Sequence, residues 1–244
     1  MKNWMMQLKK YTQELEQVIN ELSGLPEGSL IKKKSYYYHT VRDKQIGITR
    51  NPTLIRQLAR KKYLLARRAQ LDHNLNVKSP EELDIRTSQQ LIANLPAAYQ
   101  TLPLDYFYHP SVPAWLAKQP RKNTLYRENE KYIYNGTAYR TMSERQIAEI
   151  LHQNNLLYQY DCTFDMGVAL ISPDFVIKNP FNNTTVLCEF FGAFHKASYG
   201  EAMNDKLDNY AKVGYIEGNN LITLFEYHLR DPQRIQTILE STVL

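Results

Sequence analysis

The chain has 244 residues, 43% hydrophobic and 23% charged, with a net charge of +5, the make-up of a soluble globular protein of one large or two modest domains. No apolar run is long enough to span a bilayer, and the start, Met1 to Lys10, lacks the apolar segment and small-residue cleavage site of a secretory signal; a cytoplasmic protein with no membrane partner is expected. Only Cys162 and Cys188 are present, each in an apolar run and neither in a Cys-x-x-Cys pair, which argues against a zinc site or a disulfide framework.

Charge is unevenly divided. Residues 1–80 carry sixteen Lys/Arg against six Asp/Glu, and residues 81–244 carry fourteen against nineteen. Basic surface concentrates polyanions and acidic clusters bind cations, so the division suits a nucleic-acid enzyme, although Lys/Arg-rich helices also serve simply as solvated surface.

In chain order, Trp4, Leu8, Tyr11, Leu15, Val18 and Leu22 recur at steps of three and four, the seam of an amphipathic helix that can pair within the chain, with a second copy or with a partner protein. Gly24 stands where a left-handed C-cap belongs, and Pro26 follows. Residues 29–50 suggest a two-stranded hairpin turning at Arg42-Asp43-Lys44, with Lys32, Lys33 and Lys34 beside Tyr36, Tyr37 and Tyr38. Such interleaving can stack bases and contact phosphates, or can simply pack. A second helix is expected from Pro52 to about Asn74, antiparallel to the first. Its Arg56, Arg60 and Arg67 share one face, with Lys61 and Arg68 on a neighbouring one; this face is a candidate for nucleic-acid backbone contact, the alternative being a solvated face.

Three segments follow: a basic helix-hairpin-helix module over 1–78, a connector broken by prolines over 79–125, and an α/β domain over 126–244. The last is expected to contain a hairpin turning at Asn135-Gly136, a helix capped by Ser143, strands over 157–164, 175–178 and 185–191, a helix over 198–213, a strand over 220–225 and a helix over 232–240.

Two of those strands carry the chemistry. Asp174 opens one and Glu189 lies near the end of the next, inside Leu187-Cys188-Glu189-Phe190-Phe191. A charge in so apolar a strand needs a partner. An Asp and a Glu side by side repel each other, and a divalent cation with oxygen ligands relieves that cost.

The run Gly136 to Leu151, with Arg140, Ser143 and Glu144, then Pro173-Asp174-Phe175, then Glu189-Phe190-Phe191-Gly192, then Tyr199, Lys206, Tyr210 and Gly214, resembles a bacterial and phage branch of the PD-(D/E)XK nuclease superfamily. The resemblance covers about residues 137–226. It implies a restriction-endonuclease-like mixed sheet flanked by helices, here preceded by a basic helical module with a β-hairpin. It also implies a Mg²⁺ or Mn²⁺ ion held by Asp174, Glu189 and the backbone carbonyl of Phe190, with Glu144 acting through water or completing the site.

The superfamily's usual lysine, two residues after the second acid, is Phe191 here, and the His that often follows that acid is Phe190. Lys196, Tyr199, Met203, Lys206 and Tyr210 share one helical face; the resemblance implies that Lys206 is the catalytic lysine, ahead of Lys196 and Lys212, whereas the spacing alone fits an ordinary solvated lysine. His195 is either an aid to leaving-group protonation or a loop residue, and Glu149 is expected to point elsewhere. The function implied is metal-dependent hydrolysis of phosphodiester bonds, with DNA as substrate, in a phage or defence setting. The rival readings are a catalytically degenerate nucleic-acid-binding protein and a protein-interaction module.

Overall fold

The computed structural model describes residues 2–118, 121–122, 131–192 and 197–243, which form a mixed α/β protein in two compact units, Met1–Pro110 and Ser111–Leu244.

In the first unit, α1 (Lys2–Ser23) packs against α2 (Pro52–Asn76). The start of α2 is fixed by Pro52 and by Asn51, whose side chain accepts from the Leu54 N–H. Arg67 meets Glu14 and Arg60 meets Glu21, each at 2.7 Å. The residue number falls along α2 as it rises along α1, so the helices are antiparallel, as their apolar seams predict. Val18 of α1 and Ile55, Leu58, Leu64 and Leu71 of α2 are buried. Gly24 does not adopt the left-handed conformation expected of it; α1 closes through bonds from the Gly24 and Leu25 N–H groups to the Glu21 and Leu22 carbonyls.

Between these helices the expected two-stranded hairpin is a three-stranded meander, β1 (Ser29–Lys33), β2 (Tyr36–Val41) and β3 (Lys44–Gly47). The additional turn is made by Lys34 at φ 54°, a left-handed lysine that composition does not signal.

Residues 79–110 are not a connector. Two short helices, α3 (Ser88–Ala93) and α4 (Ala97–Gln100), bury Leu91, Ile92 and Tyr99, and Leu95 and Phe107 are buried with them. On α2, the buried Gln70 and Asn74 bond to the backbone of Asp84 and Arg86, and Tyr63 bonds to Ser88. The prolines here separate short packed turns instead of marking a linker.

The second unit begins with α5 (Val112–Ala117), β4 (Arg121–Lys122) and a hairpin of β5 (Tyr132–Tyr134) and β6 (Thr137–Tyr139), turned by Asn135 and Gly136, both at positive φ. Then come α6 (Met142–Gln153), β7 (Leu157–Tyr160), β8 (Cys162–Asp165), β9 (Leu170–Ile171), β10 (Phe175–Lys178) and β11 (Thr185–Phe191). The unit ends with α7 (Ala197–Lys212), β12 (Leu221–Phe225), α8 (Glu226–Leu229) and α9 (Pro232–Thr242).

Its main sheet has the order β12-β11-β10-β7, antiparallel except for the β11–β12 pair, which is parallel and joined through α7. Phe175, Ile177, Val186 and Cys188 pack on one face with Ile147 and Leu151 of α6 and with Ile235 and Leu239 of α9. Val176 and Leu187 pack on the other with Leu207 and Tyr210 of α7 and with Trp115 of α5.

Two boundaries differ from expectation. The strand over 157–164 is cut by Asp161 at φ 52°, so its end, β8, joins β4 and β9 in a separate small sheet. The cap of α6 is Thr141 instead of Ser143, and Glu144 completes a capping box with it.

The arginine pairs of the first unit give a test. The Arg60 side chain is 4% exposed, so Glu21→Ala would remove the carboxylate from a buried guanidinium that keeps its bond to the Phe107 carbonyl. We expect a loss of about 3 kcal/mol or more in urea denaturation, whereas a loss below about 1 kcal/mol would mark the pair as surface-like.

Candidate active site

Side chains alternate along a strand, so Asp174, just before β10, shares a face with Val176, and Glu189 of β11 shares that face with Leu187. This is the face covered by α7. The β10–β11 register, with Phe175 opposite Cys188, carries Asp174 to the position opposite Glu189. Both carboxylates are buried, at 6% and 2% exposure.

Each accepts one hydrogen bond at either oxygen. Glu189 accepts from the Lys206 ammonium at Oε1 and from the Tyr210 hydroxyl at Oε2, at 2.7 Å for the latter. These two α7 side chains are four residues apart and reach the same acid. Asp174 accepts from the Phe190 N–H at 2.8 Å and from Arg140 at 3.1 Å. Burial first, and then the nearby Glu189, push the Asp174 carboxyl up to about 8.

Glu144 is held as the third residue of the α6 capping box. Its Oε2 accepts from the Thr141 N–H at 2.9 Å and from the Tyr160 hydroxyl at 3.0 Å. Burial, and then Asp174, raise its carboxyl. Arg140 ties this group together: Nη2 lies 3.4 Å from Glu144, 3.4 Å from Asp161 and 3.1 Å from Asp174. Its backbone N–H is fixed by the Tyr160 hydroxyl at 3.0 Å.

A cavity of about 310 Å³ opens over this group, lined by Arg140, Ser172, Asp174, Lys206, Asn209 and Tyr210 with the β9 residues Leu170 and Ile171. Glu144, Asp174, Glu189 and Lys206 are thus brought together. Phe190 contributes its N–H to Asp174, and its ring packs on the opposite core. Lys212 bonds to Asn209, and Glu149 pairs with Arg145, in keeping with its expected direction. His195 and Lys196 lie outside the described residues.

Tyr160 and Asp161 were missed as site residues by sequence reasoning, and Arg140 and Tyr210 entered it only among the residues that carry the resemblance, with no role of their own. Asp161 carried the signal that revealed Glu189, a lone charge in an apolar, aromatic stretch. Arg140 is four residues before Glu144, but nothing in composition separates it from a solvated arginine.

The nucleic-acid face expected on α2 needs correction. Arg60 and Arg67 each grip both oxygens of a glutamate on α1, and their side chains are only 4% and 11% exposed. Lys61 bonds to the Pro26 carbonyl at 2.8 Å. Arg56 pairs with Asp105 and lies over the Tyr106 ring. Arg60, Arg67 and Lys61 thus stitch the unit together, while the side chains of Arg56 and Arg68 stay 46% and 49% exposed. On the meander, Lys32 and Lys33 sit over the rings of Tyr37 and Tyr38 and bond to Thr101 and Gln45, while Lys34 is exposed in the turn.

The shifted Asp174 gives a pH signature. A free Asp ionises near about 3.9, so between there and about 8 the folded state keeps a proton that the unfolded state releases. Stability of the metal-free protein therefore falls as pH rises through that window. Asn at 174 keeps the shape without the charge. In EDTA at pH 8 we expect Asp174→Asn to melt above wild type, the gap narrowing toward pH 4; a wild type that melts higher at pH 8 would contradict the assignment.

No protein-family model matches the chain, nor does any curated protein or solved structure in the comparisons made.

Proposed function

We propose that the chain is a metal-dependent nuclease that hydrolyses phosphodiester bonds, with DNA as its substrate and a restriction-endonuclease-like fold in its second unit. The observation that carries this reading is the pair Asp174 and Glu189, buried opposite each other on adjacent strands and beside a lysine from the following helix. The order of the main-sheet elements, helix α6, the antiparallel strands β7, β10 and β11, helix α7 and the parallel strand β12, with β8 and β9 set apart in a small sheet, supports it.

Among the described residues no group of three or more His, Cys, Asp or Glu side chains stands in a metal-holding arrangement. The donor set nevertheless fits a hard divalent cation. Each oxygen of Asp174 and Glu189 accepts one of the hydrogen bonds given above, and a carboxylate oxygen has two acceptor sites. Four acids, Glu144, Asp161, Asp174 and Glu189, face two cations, Arg140 and Lys206. When all four are ionised the deficit is two charges, the charge of one Mg²⁺ or Mn²⁺. Asp174 and Glu189 would hold it, with the Phe190 carbonyl and Glu144 as the further candidates. Bound there, the ion supplies charge for a non-bridging phosphate oxygen and lowers the pKa of a water.

The chain's own groups do the rest. Hydrolysis joins a water oxygen to phosphorus and breaks one ester P–O bond, with one water proton ending on the departing sugar oxygen. Lys206, on the wall of the cavity, is positioned to orient that water. The Tyr210 hydroxyl, whose own ionisation is pushed up by burial and then by Glu189, holds that carboxylate in place as a donor.

Purified wild type, Asp174→Ala, Glu189→Ala and Lys206→Met are to be incubated with single-stranded DNA, double-stranded DNA and RNA in Mg²⁺, Mn²⁺ or EDTA. Wild type is expected to cleave DNA only with metal, and the acid variants to lose at least about a hundredfold in rate, the scale of several kcal/mol of transition-state stabilisation. A loss of about a hundredfold is expected for Lys206→Met. Intact substrates throughout, with binding retained, would instead favour a degenerate binding module, a reading to which Phe191 and the two basic side chains on the acids already point.

A further inference from the structure

Arg140 is held unlike the structural arginines of this chain. Arg60 and Arg67 each make two contacts to one carboxylate at 2.7–2.8 Å, the distance of a settled charge-assisted pair. Arg140 has no such pair. Its closest carboxylate contact is 3.1 Å, the other two are 3.4 Å, all three run through Nη2, and its side chain is 18% exposed. Its backbone is fixed by Tyr160, so the side chain alone is placed to change partners. Lys206, Asn209, Ser172 and Tyr210 line the same cavity as Asp174; Lys206 and Tyr210 are engaged by Glu189 and Ser172 by Thr163, so a guanidinium released from Asp174 is the cation there that can present its fork to an anion. A guanidinium and a divalent cation also compete for Asp174, because both act as its counter-charge.

We propose that Arg140 is the phosphate-holding residue of this cavity. Without a divalent cation it is shared among Glu144, Asp161 and Asp174; when one occupies Asp174 and Glu189, the guanidinium turns to an oxygen of a substrate phosphate, for which its planar fork is suited. This inference rests on the nuclease reading and names the group through which that site grips its substrate.

Two titrations of wild type, Arg140→Gln and Arg140→Lys test it. In the first, Mn²⁺ is titrated calorimetrically without nucleic acid. Loss of the competing charge is expected to tighten Mn²⁺ binding about tenfold in Arg140→Gln, while Arg140→Lys, which keeps the charge, stays within about twofold of wild type. In the second, a hexathymidylate is titrated in Ca²⁺. Both variants are expected to bind about tenfold more weakly, because neither retains the fork. Unchanged or weaker Mn²⁺ binding by Arg140→Gln, or unchanged oligonucleotide binding, would overturn the proposal while leaving the metal site standing. A wild type that binds no Mn²⁺ would overturn the parent reading together with it. Arg140→Lys also serves as the folded control if Arg140→Gln fails to fold.

Discussion

The second unit is organised by the burial of one carboxylate. Glu189 lies in β11 between Cys188 and Phe190, at 2% exposure, with the apolar residues of the sheet on either side. An ion removed from water at such a position costs several kcal/mol unless it is matched. The match comes from α7, whose Lys206 and Tyr210 take one oxygen each. The same helix supplies the crossover that makes the β11–β12 pair parallel, so the connection that closes the sheet also brings the counter-charge. Asp174 then follows from register alone, because the residue before Phe175 faces the residue after Cys188.

The two units use arginine differently, and the difference separates architecture from chemistry. Between α1 and α2, Arg60 and Arg67 are locked in two-point pairs inside the helix interface. Beside the sheet, Arg140 is shared among three acids at longer range. Removing an acid from the first kind of arrangement leaves a stranded charge, whereas the second already contains more acid than cation and accommodates a change of partner. Of the basic residues in 1–80, Arg60 and Arg67 are thus internal counter-charge at α2, whereas Lys9, Lys33, Lys34, Arg42, Lys44, Arg50, Arg56, Arg68 and Lys78 remain exposed.

Much of this was legible in the sequence for physical reasons. A seam repeating every three or four residues had to form a helix with a buried face, and α1 and α2 formed where expected. Asn135-Gly136 had to turn, because both residues tolerate positive φ. Glu189 stood out because its neighbours could not solvate it. What sequence reasoning missed depends on contacts between distant residues or on unusual backbone geometry. Lys34 adopts a left-handed conformation that its residue type does not advertise, and Asp161 one that aspartate tolerates but that nothing in its apolar run signals. Residues 79–110 read as a linker because Pro80, Pro96, Pro103 and Pro110 break their pattern into short pieces, yet Gln70 and Asn74 bind their backbone from α2. Arg60 and Arg140 look alike in sequence; only their partners, 39 residues away in one case and up to 34 in the other, separate a strut from a site residue.

The central claim is that Asp174 and Glu189 form a divalent-cation centre, with Lys206 taking the place of the ion on Glu189 when none is bound. Anomalous diffraction from crystals soaked in Mn²⁺ tests it most directly. A peak shared by the Asp174 and Glu189 carboxylates, with Lys206 moved off Glu189, is the result the account expects; a Lys206–Glu189 pair unchanged at saturating Mn²⁺, with no peak beside either acid, would contradict it.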